Sequence, residues 1–200
     1  ILSLTVQTMT HTGQGGGKWK ERSHIPVDEA ARMVAEHSSG RFEFSDFFSR
    51  PSAHPLCYLM AYALKSEHTL IPFTRFTSAE NIQAQLTDSY LIRMDNQEDF
   101  FRDIMNTMYA EKKDNLLKTF RSIVSTLYPN DRDITPFKRQ QLAESFVKTI
   151  TIHSHMDEDN FDCSRAMMCP DLVPSEPGKM IPACTYNLFY RMMDDRFYEK

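Results

Sequence analysis

Cys57, Cys163, Cys169 and Cys184 are the four thiols of this 200-residue chain, and their placement governs the chemistry open to them. Ser175-Glu176-Pro177-Gly178 reads as a tight turn, with proline where φ is fixed and glycine after it. The flanking arms are Arg165–Val173 and Lys179–Ala183. Cys169 and Cys184 are equidistant from the turn centre, midway between Glu176 and Pro177. In simple register they face each other across the ladder, with Cβ atoms roughly 4.5–5.5 Å apart. Two thiols so placed can share a metal or a cluster. Cys163 precedes the first arm closely enough to reach the same place. Cys57 follows His54-Pro55 and needs the fold to bring it in. Together the set supplies up to four thiolates, enough for a tetrahedral metal or a cubane cluster.

The competing reading is a group of buried, inert cysteines. The spacings are not a CxxC signature, and thiolates alone do not separate zinc from iron or iron–sulfur. Nothing marks the chain for secretion, so thiol or metal chemistry is favoured over a disulfide framework. The 12 methionines read as core packing. His153 and His155 alternate on a strand and share one face, either as metal donors or as a hydrogen-bonded pair.

A second group of candidates is Thr12, Gly13, Gly15 and Gly16, in a loop that also contains Gly17. Glycines there expose backbone N–H groups and permit close approach to the main chain. The loop follows a strand and precedes a helix, the place where α/β folds put their sites. It lacks the Gly-Lys-Ser/Thr of a phosphate loop. Cofactor or substrate binding is the expectation, against a plain surface loop.

These residues require a framework. Ile1–Gln7 reads as a strand already under way, which suggests a chain cut upstream. A helix starts near Pro26, where Asp28 and Glu29 suit its N-terminus and Gly40 its end. Leu56–Lys65 and Thr69–Phe76 read as a hairpin. Ser78–Leu86, Gln97–Ala110, Asp114–Leu127 and Thr135–Lys148 read as helices, and Thr149–His155 as a strand. Tyr186–Phe197 reads as a short helix. The fold class is α/β, α+β overall. Three segments are expected: 1–76 with the glycine loop and hairpin, a helical 77–148, and a cysteine-bearing 149–200. Hydrophobic residues make up 41% and the formal charge is −4, without a basic run. A nucleic-acid partner is therefore not expected, and no stretch is long enough to span a bilayer. A cytoplasmic location is the expectation.

Three blocks together resemble a known family: Thr10-His11-Thr12-Gly13-Gln14-Gly15-Gly16-Gly17; Ser45-Asp46-Phe47-Phe48 with His54-Pro55-Leu56-Cys57; and Cys169 with Gly178-Lys179-Met180-Ile181-Pro182-Ala183-Cys184-Thr185-Tyr186-Asn187-Leu188-Phe189-Tyr190-Arg191. In this order they resemble the C-terminal half of radical S-adenosylmethionine proteins related to the archaeal tetraether lipid synthase and the pterin-methylating enzymes. The resemblance implies the later strands of a partial (β/α) barrel and an auxiliary 4Fe-4S cluster. Cys57, Cys169 and Cys184 match the family's cysteine positions. It further implies a catalytic cluster in an upstream half of the same chain, where S-adenosylmethionine is cleaved to a radical that attacks an unactivated carbon of a small-molecule or lipid-like substrate. The C-x3-C-x2-C triad for that cluster is absent from these 200 residues. The alternative is a non-catalytic, zinc-stapled interaction domain.

Overall fold

The computed structural model describes residues 3–12, 21, 23–66, 69–94, 97–130 and 133–195. In chain order the elements are β1 (Ser3–Gln7), α1 (Val27–His37), β2 (Phe48–Ser49), β3 (Tyr58–Ser66), β4 (Thr69–Pro72), α2 (Ala79–Ala84), α3 (Glu98–Ala110), α4 (Asp114–Leu127), α5 (Pro136–Phe146), β5 (Val147–His153), α6 (Cys163–Met167), β6 (Leu172–Pro174), β7 (Met180–Pro182) and α7 (Ala183–Thr185). The fold is α+β, a mixed sheet with helices on both faces and a separate two-stranded ladder.

Local chemistry sets the helix ends. Pro26 introduces α1 with φ −68°, and Asp28 and Glu29 sit in its first turn, where the helix dipole favours anions. Ser39 and Gly40, at φ 56° and 75°, end it in left-handed conformation. Ser78 accepts the Asn81 N–H at the start of α2, and Thr135 accepts the Lys138 N–H at the start of α5. Helix α4 buries Leu117, Phe120, Ile123 and Leu127, a stripe at helical spacing.

The sheet runs β1-β5-β3-β2, with β4 also on β3. β5 is parallel to β1, with Val6 opposite Ile152 and Gln7 opposite His153. β3 is antiparallel to β5, with Tyr58 opposite His153 and Ala61 opposite Ile150. β3 is covered on both faces, which accounts for its unbroken buried run Met60–Leu64. On one face Ala61, Ala63 and Ile152 pack against Val27, Ala30 and Ala31 of α1, with Phe42 and Phe47 closing the layer. On the other, Met60, Tyr62 and Leu64 meet Phe101, Ile104 and Met108 of α3, Leu117 and Phe120 of α4, and Ala143 of α5. The core thus joins residues of the 1–76 stretch to those of the helical middle.

Some boundaries differ from expectation. β4 stops at Pro72 because Phe73–Arg75 forms a 3-10 turn, from which the Arg75 guanidinium reaches the buried Asp46 carboxylate at 2.7 Å. β5 begins at Val147, straight out of α5, and ends at His153. The first expected arm of the C-terminal hairpin begins as the end of helix α6, Arg165–Met167, because Asp162 accepts the N–H groups of Ser164 and Arg165 and starts a turn; only Leu172 and Val173 of that arm are strand. Among the described residues no helix is long and apolar enough to cross a membrane.

Phe120 is 2% exposed, with ring centroids of Phe73, Phe76 and Phe101 between 5.3 and 6.2 Å away. Phe120→Ala is expected to cost about 3–5 kcal/mol in denaturant unfolding. A loss below about 1 kcal/mol would show that this aromatic cluster is not the centre of the core.

Candidate functional site

Because β1 and β5 are parallel, their C-terminal ends share one edge of the sheet. Antiparallel β3 delivers its N-terminal end to that same edge. The crevice beyond strand C-termini is where α/β architectures collect their chemistry. Here it gathers residues from five separate stretches.

At the strand ends the ring of Tyr58 stacks on that of His153, centroids 4.1 Å apart and nearly parallel. The His155 ring lies 4.1 Å from that of His153. The Tyr58 hydroxyl donates to the Asp171 carboxylate, and His153 Nε2 stands 3.6 Å from the same oxygen. Burial, reinforced by His155, pushes the His153 pKa down to about 4. Burial also lowers that of His155. Both rings are therefore neutral near pH 7. Burial, then the Asp171 contact, raises the Tyr58 phenol, which keeps its proton.

Three of the four cysteines meet at this edge. Cys57 is buried just ahead of β3, and its sulfur accepts the Nε–H of Arg165 at 3.3 Å. Arg165 is itself buried and donates also to the Ser154 carbonyl at 3.1 Å. Cys184 is buried in α7, and its sulfur accepts the Met156 N–H at 3.2 Å and lies 3.4 Å from His155 Nδ1. Cys169 is half-buried and donates to the Asp171 carbonyl at 3.2 Å. Burial raises the pKa of both Cys169 and Cys184. Proximity of Cys57 raises each further, and Cys169 raises Cys184. The Ser154 N–H donating to the Cys57 carbonyl, the Met156 N–H donating to the Cys184 sulfur and the Ala183 N–H donating to the Asp171 carbonyl bring these thiols to one neighbourhood. Cys163 stands apart, exposed at the first residue of α6.

The hairpin register differs from the symmetric one. Leu172 pairs with Pro182, Val173 with Ile181 and Pro174 with Met180, which centres the turn on Pro177. Cys169 and Cys184 are therefore not cross-strand partners: the ladder ends before either, and Cys184 lies in helix. The Ala183 N–H, donating to the Asp171 carbonyl at 2.8 Å, ties the two segments instead.

Among the described residues, the His, Cys, Asp and Glu set whose ligand atoms all lie within 4.8 Å is His24, Asp157 and Asp159. Asp157 is fully buried. It accepts the His11 N–H at 2.9 Å, His24 Nε2 at 2.7 Å and the Asp159 N–H at 3.1 Å. Burial opposes its ionisation, but these hydrogen bonds outweigh burial and hold its pKa below the ordinary 3.8. The carboxylate thereby ties the segment after β5 to the segment after β1. Thr12 follows at once and is half-buried; Gly13, Gly15 and Gly16 lie outside the described residues.

Sequence reasoning passed over Tyr58, Asp171, Arg165, His24 and Asp157. The acidic run Asp157-Glu158-Asp159 directly after a strand was a usable signal for Asp157. Nothing in the sequence pairs Tyr58 with Asp171, since their contact depends on register.

No family model matches the chain. Over 98% of its length the chain is 21% identical to the 7,8-dihydro-6-hydroxymethylpterin dimethyltransferase of Methanocaldococcus jannaschii. It spans 44% of that protein's length. A distant relative of the chain is thus an enzyme, a methyltransferase that acts on a pterin.

Asp157→Ala would strand two backbone donors, at a cost of about 1–3 kcal/mol each. The pH dependence has a definite sign. The folded-state pKa lies below 3.8, so on acidification the unfolded chain binds the proton first. Asp157 therefore stabilises fully above that value and less as the pH falls through its depressed pKa. Urea titrations at several pH values are expected to show a shallower acid loss in Asp157→Ala than in the parent.

Proposed function

We propose that this chain is the C-terminal part of a radical S-adenosylmethionine enzyme that transfers a methyl or related carbon group to a small organic substrate, and that Cys57, Cys169 and Cys184 hold an auxiliary 4Fe-4S cluster. The observation that carries this reading is the convergence of Cys57 with Cys169 and Cys184, more than a hundred residues further on, at the carboxyl edge of β1 and β5. They are the three cysteines that the family resemblance implicates. The 21% likeness to a methyltransferase favours methyl transfer among the radical chemistries.

The donor chemistry fits a cluster better than a zinc staple. A single zinc binds thiolates at about 2.3 Å, which holds the sulfurs of a tetrahedral site about 3.8 Å apart. The three thiols do not form a set mutually within 4.8 Å, whereas a polynuclear core spreads its ligands wider. When bound, such a cluster supplies one-electron transfer or a Lewis-acidic iron.

The chain's own residues prepare the site. Arg165 and the Met156 N–H direct hydrogen bonds at the sulfurs of Cys57 and Cys184, which stabilises thiolates and tunes a cluster's potential. The suppressed ionisation of Cys169 and Cys184, caused first by burial, is relieved once a cation shares the charge. Tyr58 and His153, neutral and stacked, line the edge and exclude water. Thr12 follows β1 beyond this edge and leads in sequence into Gly13, Gly15 and Gly16, which supports a role for this stretch in holding S-adenosylmethionine or substrate.

The test is metal content of anaerobically purified protein carrying the upstream cysteine triad. Cys57→Ala, Cys169→Ala and Cys184→Ala are each expected to lose about half of the iron and sulfide, one four-iron cluster of two. Cys163→Ala is expected to keep it all. Unchanged iron in the first three variants, or stoichiometric zinc in the parent, would sink the proposal.

A further inference from the structure

Arg50 directly follows β2 and is 4% exposed. Its Nε donates to Ser52 Oγ at 2.9 Å. Its guanidinium carbon lies 3.4 Å from the ring centroid of Tyr90 and 5.6 Å from that of Tyr58. The Nη2 atom is buried and has no hydrogen-bond partner among the described residues. A buried guanidinium with a free donor is costly unless an anion meets it. The protein carboxylate whose charge it feels, Asp171, is engaged by the Tyr58 hydroxyl.

Arg50 borders a cavity of about 300 Å³ between the sheet and α5, at the small end of ligand-site volumes. Its floor is polar: Thr5 of β1 and Thr149 and Thr151 of β5 stand on one face of the parallel pair. Met60 and Ile92 supply apolar walls. The lining combines Arg50, a row of hydroxyls and an apolar side, with the exposed Glu144 the one carboxylate among them; Arg50 and the hydroxyls match a small molecule with an anionic head and a partly apolar body.

We propose that this cavity binds a small organic oxyanion, a carboxylate or phosphate that Arg50 engages, with the apolar body along Met60 and Ile92. The site stands independently of the cluster: it uses none of the cysteines, and an iron-free protein retains it. It does share a wall with the cysteine-bearing segment, because the Tyr90 hydroxyl donates to the Pro170 carbonyl at 3.0 Å, directly after Cys169.

Isothermal titration of the protein with benzoate, phenyl phosphate and the neutral benzamide tests this. At least one anion is expected to bind saturably, and benzamide at least tenfold more weakly. Benzoate alone assigns a carboxylate; phenyl phosphate alone assigns a phosphate. Arg50→Gln is expected to weaken the anion at least tenfold. Thr5→Leu, on an exposed position of edge strand β1, fills the cavity without touching the core and is expected to do the same. Comparison of the three ligands on unmutated protein decides the matter even if Arg50→Gln misfolds. Equal affinity for benzamide, no saturable binding of either anion, or unchanged binding in a folded Arg50→Gln would overturn the proposal.

Discussion

β5 is paired on both sides, in parallel with β1 and antiparallel with β3, and the chemistry of the molecule depends on that register. It puts the ends of β1 and β5 and the start of β3 on one line. It also sets Ile152 against α1, where it is fully buried, and turns His153 to the opposite face beside Tyr58. A slip of one residue would exchange those faces. Ile152 would then lose its burial among Val27, Ala30 and Ala31, and the histidine would be forced into an apolar layer. The apolar pattern of the centre therefore fixes where the polar end sits.

Beyond the strand ends, buried polar groups do the positioning. Asp157 joins the segment after β5 to His11 and His24. Arg165 joins α6 to Cys57 and to the Ser154 carbonyl. Asp171 receives Tyr58 and, through its backbone, Cys169 and Ala183. The contacts Asp157–His11, Asp157–His24, Arg165–Cys57 and Asp171–Tyr58 each span more than a hundred residues, and buried bonds of this kind are strong and their loss is expensive. The cysteines occupy this lattice with protons favoured on Cys169 and Cys184. Their sulfurs are poised to ionise when positive charge arrives.

Helices and strands in the centre were legible because local signals and the apolar period agree there. Asp114–Leu127 is bounded as expected, its stripe at helical spacing unambiguous. Ser78 and Thr135 cap as their types suggest. The C-terminal region was not legible to the same degree. The turn at Pro177-Gly178 was readable, and Gly178 does take φ 78°, but its register was not. A shift of half a residue in the centre separates Cys169 and Cys184 as partners. The Asp162 cap that makes α6 is a local signal in the sequence, and it breaks the extended arm expected from Arg165 onward. Arg50 gave no signal at all. It sits in an irregular Ser-Arg-Pro-Ser stretch, and only the packing of Tyr58 and Tyr90 around it makes it a buried cation.

The central claim is that the sulfur of Cys57 and those of Cys169 and Cys184, more than a hundred residues further on, surround one metal centre at the carboxyl edge of the sheet. Anomalous scattering at the iron edge from crystals grown anaerobically tests it most directly. The account predicts an iron peak bounded by the sulfurs of Cys57, Cys169 and Cys184, clear of His24 and Asp159. Strong iron scattering confined to another part of the protein, with these three thiols free, would contradict it.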